Sequence, residues 1–243
     1  MTLGMFSIIP VPKNSWNDDH MHMVLPNLPL VGALIGFSWY GLAILLSWLS
    51  IPLMLKSVAI LFLPFILCGF IHVDGYMDTA DAVFSRRSLE EKKRILKDPH
   101  MGAFAVIAII FILLFQFSAV YTILGSQKNV LAFIFIPVIS RCTAGIAMLN
   151  LKPVFDTGYA VSFRRNSKPR HTVLICMLAA SCFLASWFVL GIAALALLAG
   201  ASTGIIVTIH LYKQFQGISG DLSGSIITVS ESAALLCMAL LLV

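Results

Sequence analysis

Seven apolar runs of spanning length succeed one another along the chain: Pro29 to Leu49, Ile51 to Ile71, Phe104 to Leu124, Val130 to Leu149, Thr172 to Leu190, Ala193 to Leu211 and Ser225 to Val243. At about 1.5 Å per residue, roughly twenty apolar residues in a helix cross the ~30 Å hydrocarbon core of a bilayer. The pattern therefore predicts an all-α fold, a polytopic membrane helix bundle of about seven (six to eight) transmembrane helices, forming a single integral membrane domain over residues 1–243. Little more than Ser50 separates the first two runs, and the fifth and sixth meet around Gly191, so each pair is expected to form a tight hairpin. Between the runs lie an N-terminal interfacial segment (1–28), an acidic loop (72–103), a basic loop (150–171) and a glycine-rich loop (212–224).

Composition strengthens this picture. Hydrophobic residues make up 59% of the 243 and charged residues 11%, whereas a soluble domain carries roughly a quarter of its residues charged. A water-exposed globule could not cover its surface with so few charges, and the loops are too short to hold a separate soluble domain. The net charge of +5 needs no nucleic-acid partner, because Lys and Arg are retained at the cytoplasmic face of membrane proteins. If segment 1–28 is cytoplasmic, the four polar intervals on its side hold 13 of the 16 basic residues, while Lys56 and Lys128 fall on the opposite side and Arg141 within a run. Cys68, Cys142, Cys176, Cys182 and Cys237 all lie in apolar runs with no C-x-x-C pair, which predicts neither disulfides nor a zinc site. The N-terminus, broken by Pro10, Pro12 and Pro26 and carrying Asp18 and Asp19, lacks the form of a signal peptide, so insertion is expected to rely on the first span.

Candidate chemistry begins after the second run, in Ile71-His72-Val73-Asp74-Gly75-Tyr76-Met77-Asp78-Thr79-Ala80-Asp81. Asp74, Asp78 and Asp81 follow i, i+4, i+7 spacing, which stacks three carboxylates on one helical face. Like charges so placed repel unless a cation sits among them. A hard divalent ion such as Mg²⁺, which takes oxygen ligands and keeps sites open for water and phosphate, is the expected occupant. Glu90 and Glu91, by contrast, sit among Arg86, Arg87, Lys92, Lys93, Arg94 and Lys97 and read as a solvated amphipathic face. His72 has three readings: a carboxylate orienter, a base or an interfacial anchor.

Further along, Asp98 before Pro99 reads either as an N-cap of the third span or as a ligand, and Gly102 would permit close approach to a phosphate. Gly217, Gly220 and Gly224 surround Asp221, a flexible setting whose amides can cradle an anion while Asp221 adds a metal ligand. Arg141 and Glu231 stand inside apolar runs, where charge is costly unless paired or lining a cavity; mutual pairing and substrate contact both remain open. The basic loop, with Lys152, Arg164, Arg165, Lys168, Arg170 and His171, needs no substrate to account for it.

On these residues the chain resembles the cobalamin synthase family, the adenosylcobinamide-GDP ribazoletransferases, over essentially its whole length. The likeness rests on Phe6-Ser7-Ile8-Ile9-Pro10-Val11-Pro12, Pro29-Leu30-Val31-Gly32 and Gly69 through Asp81, and continues through Phe84-Ser85, Lys97-Asp98, Gly102, Ser140-Arg141, Gly217 to Gly224 and Glu231. H-x-D-G-x-x-D-x-x-D combined with G-x-x-G-D-x-x-G and a downstream Glu is its specific part. Ala82 departs from a common Gly, and Pro99-His100 from a common Ser-Arg pair. The resemblance implies that α-ribazole, or α-ribazole 5'-phosphate, attacks the phosphorus next to the aminopropanol arm of adenosylcobinamide-GDP and that GMP leaves. It implies Asp74, Asp78, Asp81 and Asp221 on Mg²⁺, one acid or His72 as base, Arg141 as diphosphate clamp, and Gly102, Gly217 and Gly220 at the substrate. It further implies a multi-pass protein of the cell (inner) membrane with the site facing the cytoplasm. The partners are then the two substrates, the lipid bilayer and, in a homo-oligomer, further copies of the chain.

Two other readings stay open from sequence. A CDP-alcohol phosphotransferase-like enzyme also sets aspartates at helical spacing on a membrane face, but its D-G-x-x-A-R start is not met, since Met77-Asp78 follow Tyr76. A secondary transporter would use Arg141 and Glu231 as an intramembrane charge pair. It leaves the three aspartates without a task.

Overall fold

A computed structural model describes residues 1–12, 16–126 and 128–242; Val243, the end of the last apolar run, lies outside the described residues. All of its regular elements are helical: α1 (Thr2–Phe6), α2 (Leu28–Ser47), α3 (Leu53–Leu67), α4 (Ile71–Phe84), α5 (Leu89–Ile95), α6 (Ala103–Ser126), α7 (Ala132–Asn150), α8 (Tyr159–Arg164), α9 (Pro169–Leu190), α10 (Leu195–Phe215) and α11 (Gly220–Leu240), with 3-10 turns at Asp18–Met23 and Gly191–Ala194.

Five continuous helical stretches are long and apolar enough to cross a membrane, or six if the bent pair α3 and α4 counts as one broken span, roughly consistent with the expected count of about seven (six to eight) though below seven itself. The difference has two sources. The stretch 169–215 is α9, the 3-10 turn at Gly191–Ala194 and α10 in immediate succession, and as one straight helix its 47 residues would extend about 70 Å, more than twice a hydrocarbon core. Gly191, at φ +58, breaks it, and α9 and α10 then run in opposite directions along α7. The second source is α3, which has 15 residues rather than about twenty, because Gly69 (φ +60) and Phe70 (φ 61) turn the chain by 89° into α4. A left-handed Phe is uncommon and marks a break held by its surroundings. Cys68 N–H and Gly69 N–H donate back to Pro64 and Ile66 carbonyls and close α3. We take α3 as the membrane-crossing part and α4, with its three aspartates, as lying outside it.

α7 and α11 form the centre, and small residues let the other helices approach them. A Cβ on Gly32 would lie 2.5 Å from the Pro137 carbonyl oxygen, and one on Gly200 2.8 Å from the Ala234 Cβ. Gly32 with Gly36 on α2, and Gly200 with Gly204 on α10, are both G-x-x-x-G pairs, and close backbone packing of this kind replaces the hydrophobic drive that lipid does not supply. At the end away from α4, Trp39 stacks on Phe133 (4.5 Å) and its Nε1–H donates to the Ile60 carbonyl at 2.7 Å.

The intervals read as loops are largely ordered helix. The acidic one contains α4 and α5, the basic one α8, and the glycine-rich one is the end of α10 and the start of α11. They meet at one end of the bundle: Val154 N–H donates to the Ile218 carbonyl (2.9 Å), Ile218 N–H to the Lys152 carbonyl (2.8 Å), and Lys97 Nζ sits 4.0 Å above the Phe155 ring.

Candidate active site

The site forms where α4 crosses the first turn of α11, running antiparallel to it. Two glycines make the crossing possible. A Cβ on Gly75 would sit 2.7 Å from the Asp221 Cα, and one on Gly224 would sit 2.9 Å from the His72 carbonyl oxygen. That carbonyl also accepts from Thr228 Oγ1 at 3.2 Å. The H-x-D-G and G-D-x-x-G motifs are thus two halves of one helix contact, which brings Asp221 beside the aspartate face of α4. Ser219 caps α11, its Oγ accepting from Leu222 N–H at 3.3 Å.

Asp74 is exposed, and Asp78, Asp81 and Asp221 are half-buried. Burial, followed by the like charges of Asp74, Asp221 and Asp81, pushes the Asp78 carboxyl up to about 6. The Asp81 carboxylate lies directly against Gly102, where any side chain would displace it. Tyr76 Oη donates to the Ala108 carbonyl at 3.4 Å and ties α4 to α6.

These acids suit a hard cation chemically: four oxygen donors from two helices, with no base interleaved, that repel each other when ionised. Among the described residues no three His, Cys, Asp or Glu side chains already close on a common point. Filling the site would therefore draw these carboxylates inward. Beside them lies a cavity of about 240 Å³ that includes Asp74, Asp221 and His72 in its lining, with Phe6, Tyr159 and Phe163 on its apolar side. A larger cavity, about 560 Å³, opens at the opposite end of the bundle. Among the described residues Lys56 is the only ionisable one lining it, and none of them offers a reacting phosphoryl group an acid.

The remaining candidates fall elsewhere. His72 is buried beneath Phe6 (ring centroids 6.2 Å apart), and its Nε2 has no hydrogen-bond partner among the described residues. Arg141 is not at the aspartates. Its Nη1 donates to Glu231 Oε1 at 2.5 Å and to the Pro137 carbonyl at 3.1 Å, its Nη2 to Cys68 Sγ at 3.3 Å, and Ser140 Oγ donates to the same Glu231 oxygen at 2.9 Å. With 1% of its side chain exposed, against 7% for Glu231, its two Nη groups are engaged inside the bundle while its Nε has no partner among the described residues, a placement that favours mutual pairing over the diphosphate-clamp expectation.

Gly217 is buried because the chain 153–154 crosses it: a Cβ there would meet Val154 N at 2.7 Å, so close packing by itself calls for a glycine at this position. Gly220 is the open glycine, with nothing within 4 Å of a Cβ. Asp98 does not cap α6, which starts at Ala103. It accepts from His100 N–H (3.0 Å) and pairs with His100 Nδ1 (2.7 Å) in solvent. Lys92, read as solvated, is buried and donates to Gln214 Oε1.

Sequence reasoning did not anticipate the aromatic lining of the cavity, nor the Gln116 Nε2 to Ser232 Oγ bond (2.7 Å) between α6 and α11. A polar Gln within an apolar run was the available signal for the second.

Residues 1–239 match the family described as cobalamin-5-phosphate synthase. An adenosylcobinamide-GDP ribazoletransferase of Clostridium perfringens is 35% identical over 99% of this chain and 96% of its own length. One from Clostridium botulinum is 35% identical over 97% of this chain and 94% of its own length, and one from Geobacillus thermodenitrificans 31% identical over 96% and 91%. No solved structure matches. With both acidic motifs joined at one crossing, and with relatives aligned from end to end, the chain belongs to the cobalamin-5-phosphate synthase family.

Proposed function

We propose that this chain joins α-ribazole, or its 5'-phosphate, to adenosylcobinamide-GDP with release of GMP, in the late steps of cobalamin biosynthesis, at a site on the cytoplasmic face of the cell membrane. The observation that carries the reading is the meeting of Asp74, Asp78 and Asp81 with Asp221 at a crossing that only Gly75 and Gly224 permit. The names of the aligned relatives supply the substrates, and the gathering at this end of 12 of the 15 basic residues among those described supports the cytoplasmic orientation.

Transfer between two large, already activated partners needs charge neutralisation and in-line positioning more than covalent catalysis. Mg²⁺ held by Asp74, Asp78, Asp81 and Asp221 would neutralise charge on the diphosphate. Gly102 seats Asp81, the Gly75 contact seats Asp221, and the open Gly220 leaves the N-terminus of α11 accessible to a phosphate. A ribose hydroxyl of the acceptor attacks the phosphorus next to the aminopropanol arm, a carboxylate of the cluster takes its proton, and the bond to GMP breaks.

The transporter alternative loses support because the Arg141–Glu231 pair adjoins a void of only about 10 Å³, room for at most one water. Purified protein given both substrates should release GMP only with a divalent cation present. Cation-independent release would remove the metal from the proposal, and no release would remove the reaction.

A further inference from the structure

The cavity beside the carboxylates has two unlike ends. Asp74, Gly220, Asp221 and Ser223 form one, and the other is walled by Leu25, Leu28, Met148 and Phe163, with Met5 and Phe6 brought over by α1. Aromatic rings cluster along it: Tyr159 and Phe163 stack at 6.0 Å with planes 17° apart, and Phe6 touches Phe163 at 6.4 Å. Tyr159 is 58% exposed and stands at the mouth, whereas Phe163 is buried.

Sites that enclose a whole drug-sized ligand measure roughly 300–1,000 Å³, so 240 Å³ accepts one ring system and excludes a corrin macrocycle. A guanine or adenine there would bury a hydrogen-bonding edge against Leu25, Leu28 and Met148, and each unpaired group would be penalised. A benzimidazole carrying methyl groups presents an apolar edge to the same wall. His72, whose buried Nε2 lacks a partner among the described residues, also belongs to the lining.

We propose that this cavity receives the flat aromatic base of the nucleoside acceptor, placing its ribose toward Asp74 and Asp221. The assignment rests on the transferase reading above and adds to it a specificity site formed by Phe6, Tyr159 and Phe163.

Two measurements on detergent-solubilised protein test it. In steady-state kinetics Tyr159→Ala should raise the KM for α-ribazole about tenfold, the scale of one lost aromatic contact, with the KM for adenosylcobinamide-GDP within twofold of wild type. Tyr159→Phe should recover most of that loss because it keeps the ring. Tyr159 is largely exposed, so its removal leaves the fold intact; thermal stability is followed alongside. Free 5,6-dimethylbenzimidazole should compete with α-ribazole and not with adenosylcobinamide-GDP. A rise in the donor's KM instead, competition against the donor, or an unchanged α-ribazole KM in Tyr159→Ala would overturn the assignment while leaving the transferase reading intact if GMP is still released. Should wild type release no GMP, calorimetric titration of α-ribazole alone still decides: tight binding weakened by Tyr159→Ala supports the cavity, and no binding overturns it.

Discussion

Asp221 and Glu231 stand ten residues apart on α11, roughly 15 Å along its axis, and their surroundings make them opposite kinds of acid. Asp221 is half-buried at a cavity, beside other carboxylates and with no cation at hand. Glu231 is sealed in the bundle, its Oε1 accepting from Arg141 Nη1 and Ser140 Oγ, while Arg141 Nη1 also donates to the Pro137 carbonyl. A buried charge with its partners in place is structural, because the cost of removing it from water is already offset. Asp221 Oδ2 accepts from Ser219 Oγ at 3.5 Å, and carboxylates gathered with no basic partner among the described residues are in the state in which a cation and a phosphate gain most by arriving.

The largest effects should separate these two groups. Asp74→Asn, Asp78→Asn, Asp81→Asn and Asp221→Asn each keep the shape and remove the charge, so each should lower turnover on the order of a hundredfold while thermal stability holds or rises. Glu90→Gln, on the exposed face of α5, should be silent. Equal losses at Glu90 and Asp78 would mean that overall loop charge matters, not ligation.

Arg141→Met and Glu231→Gln should behave in the reverse manner. Each leaves a buried charge unpaired and should cost about 3–5 kcal/mol of stability, and the double change should recover much of it. Differential scanning fluorimetry in detergent reads both. If Arg141→Met melts like wild type but fails to use adenosylcobinamide-GDP, the residue serves the substrate after all.

Gly102→Ala sharpens the comparison at one carboxylate. Its Cβ would push Asp81 aside, so turnover should fall by about tenfold, the smaller loss expected of a displaced rather than deleted ligand. Stability should hold, since the clash is with a side chain that can move.

The acid end was more legible than the buried pair for a physical reason. Helical spacing alone places Asp74, Asp78 and Asp81 together, and local periodicity survives folding. Which of two readings Arg141 follows depends on the register between α7 and α11, which no local pattern encodes. The apolar runs predicted helices at each of their positions, but the break at Gly69 and Phe70 needed tertiary contacts to hold a left-handed Phe, so the shortness of α3 was hidden. The G-x-x-x-G pairs on α2 and α10 were visible as text, although their partners were not. Gly224 looked like loop flexibility and proved, with Gly75, to be a close helix contact. Tyr159 and Phe163 share one face of α8 at i, i+4 spacing, but Phe6 lies about 150 residues away and no local pattern joins it to them.

A smaller effect should appear with pH. A carboxyl whose folded pKa lies above its unfolded value holds its proton more tightly when folded, so the contribution of Asp78 to stability is greatest at acid pH and is lost as pH rises through about 6. Metal-free wild type should therefore gain on Asp78→Asn between pH 7 and pH 5. A divalent cation should abolish that difference.

Manganese binding followed by electron paramagnetic resonance tests the central claim most directly, because it asks whether the α4 and α11 acids act as one site without requiring turnover. The account predicts that wild type and Glu90→Gln bind Mn²⁺ alike, while Asp78→Asn, Asp81→Asn and Asp221→Asn each weaken binding by tenfold or more. Undiminished binding in Asp221→Asn, or in Asp78→Asn and Asp81→Asn together, would contradict it.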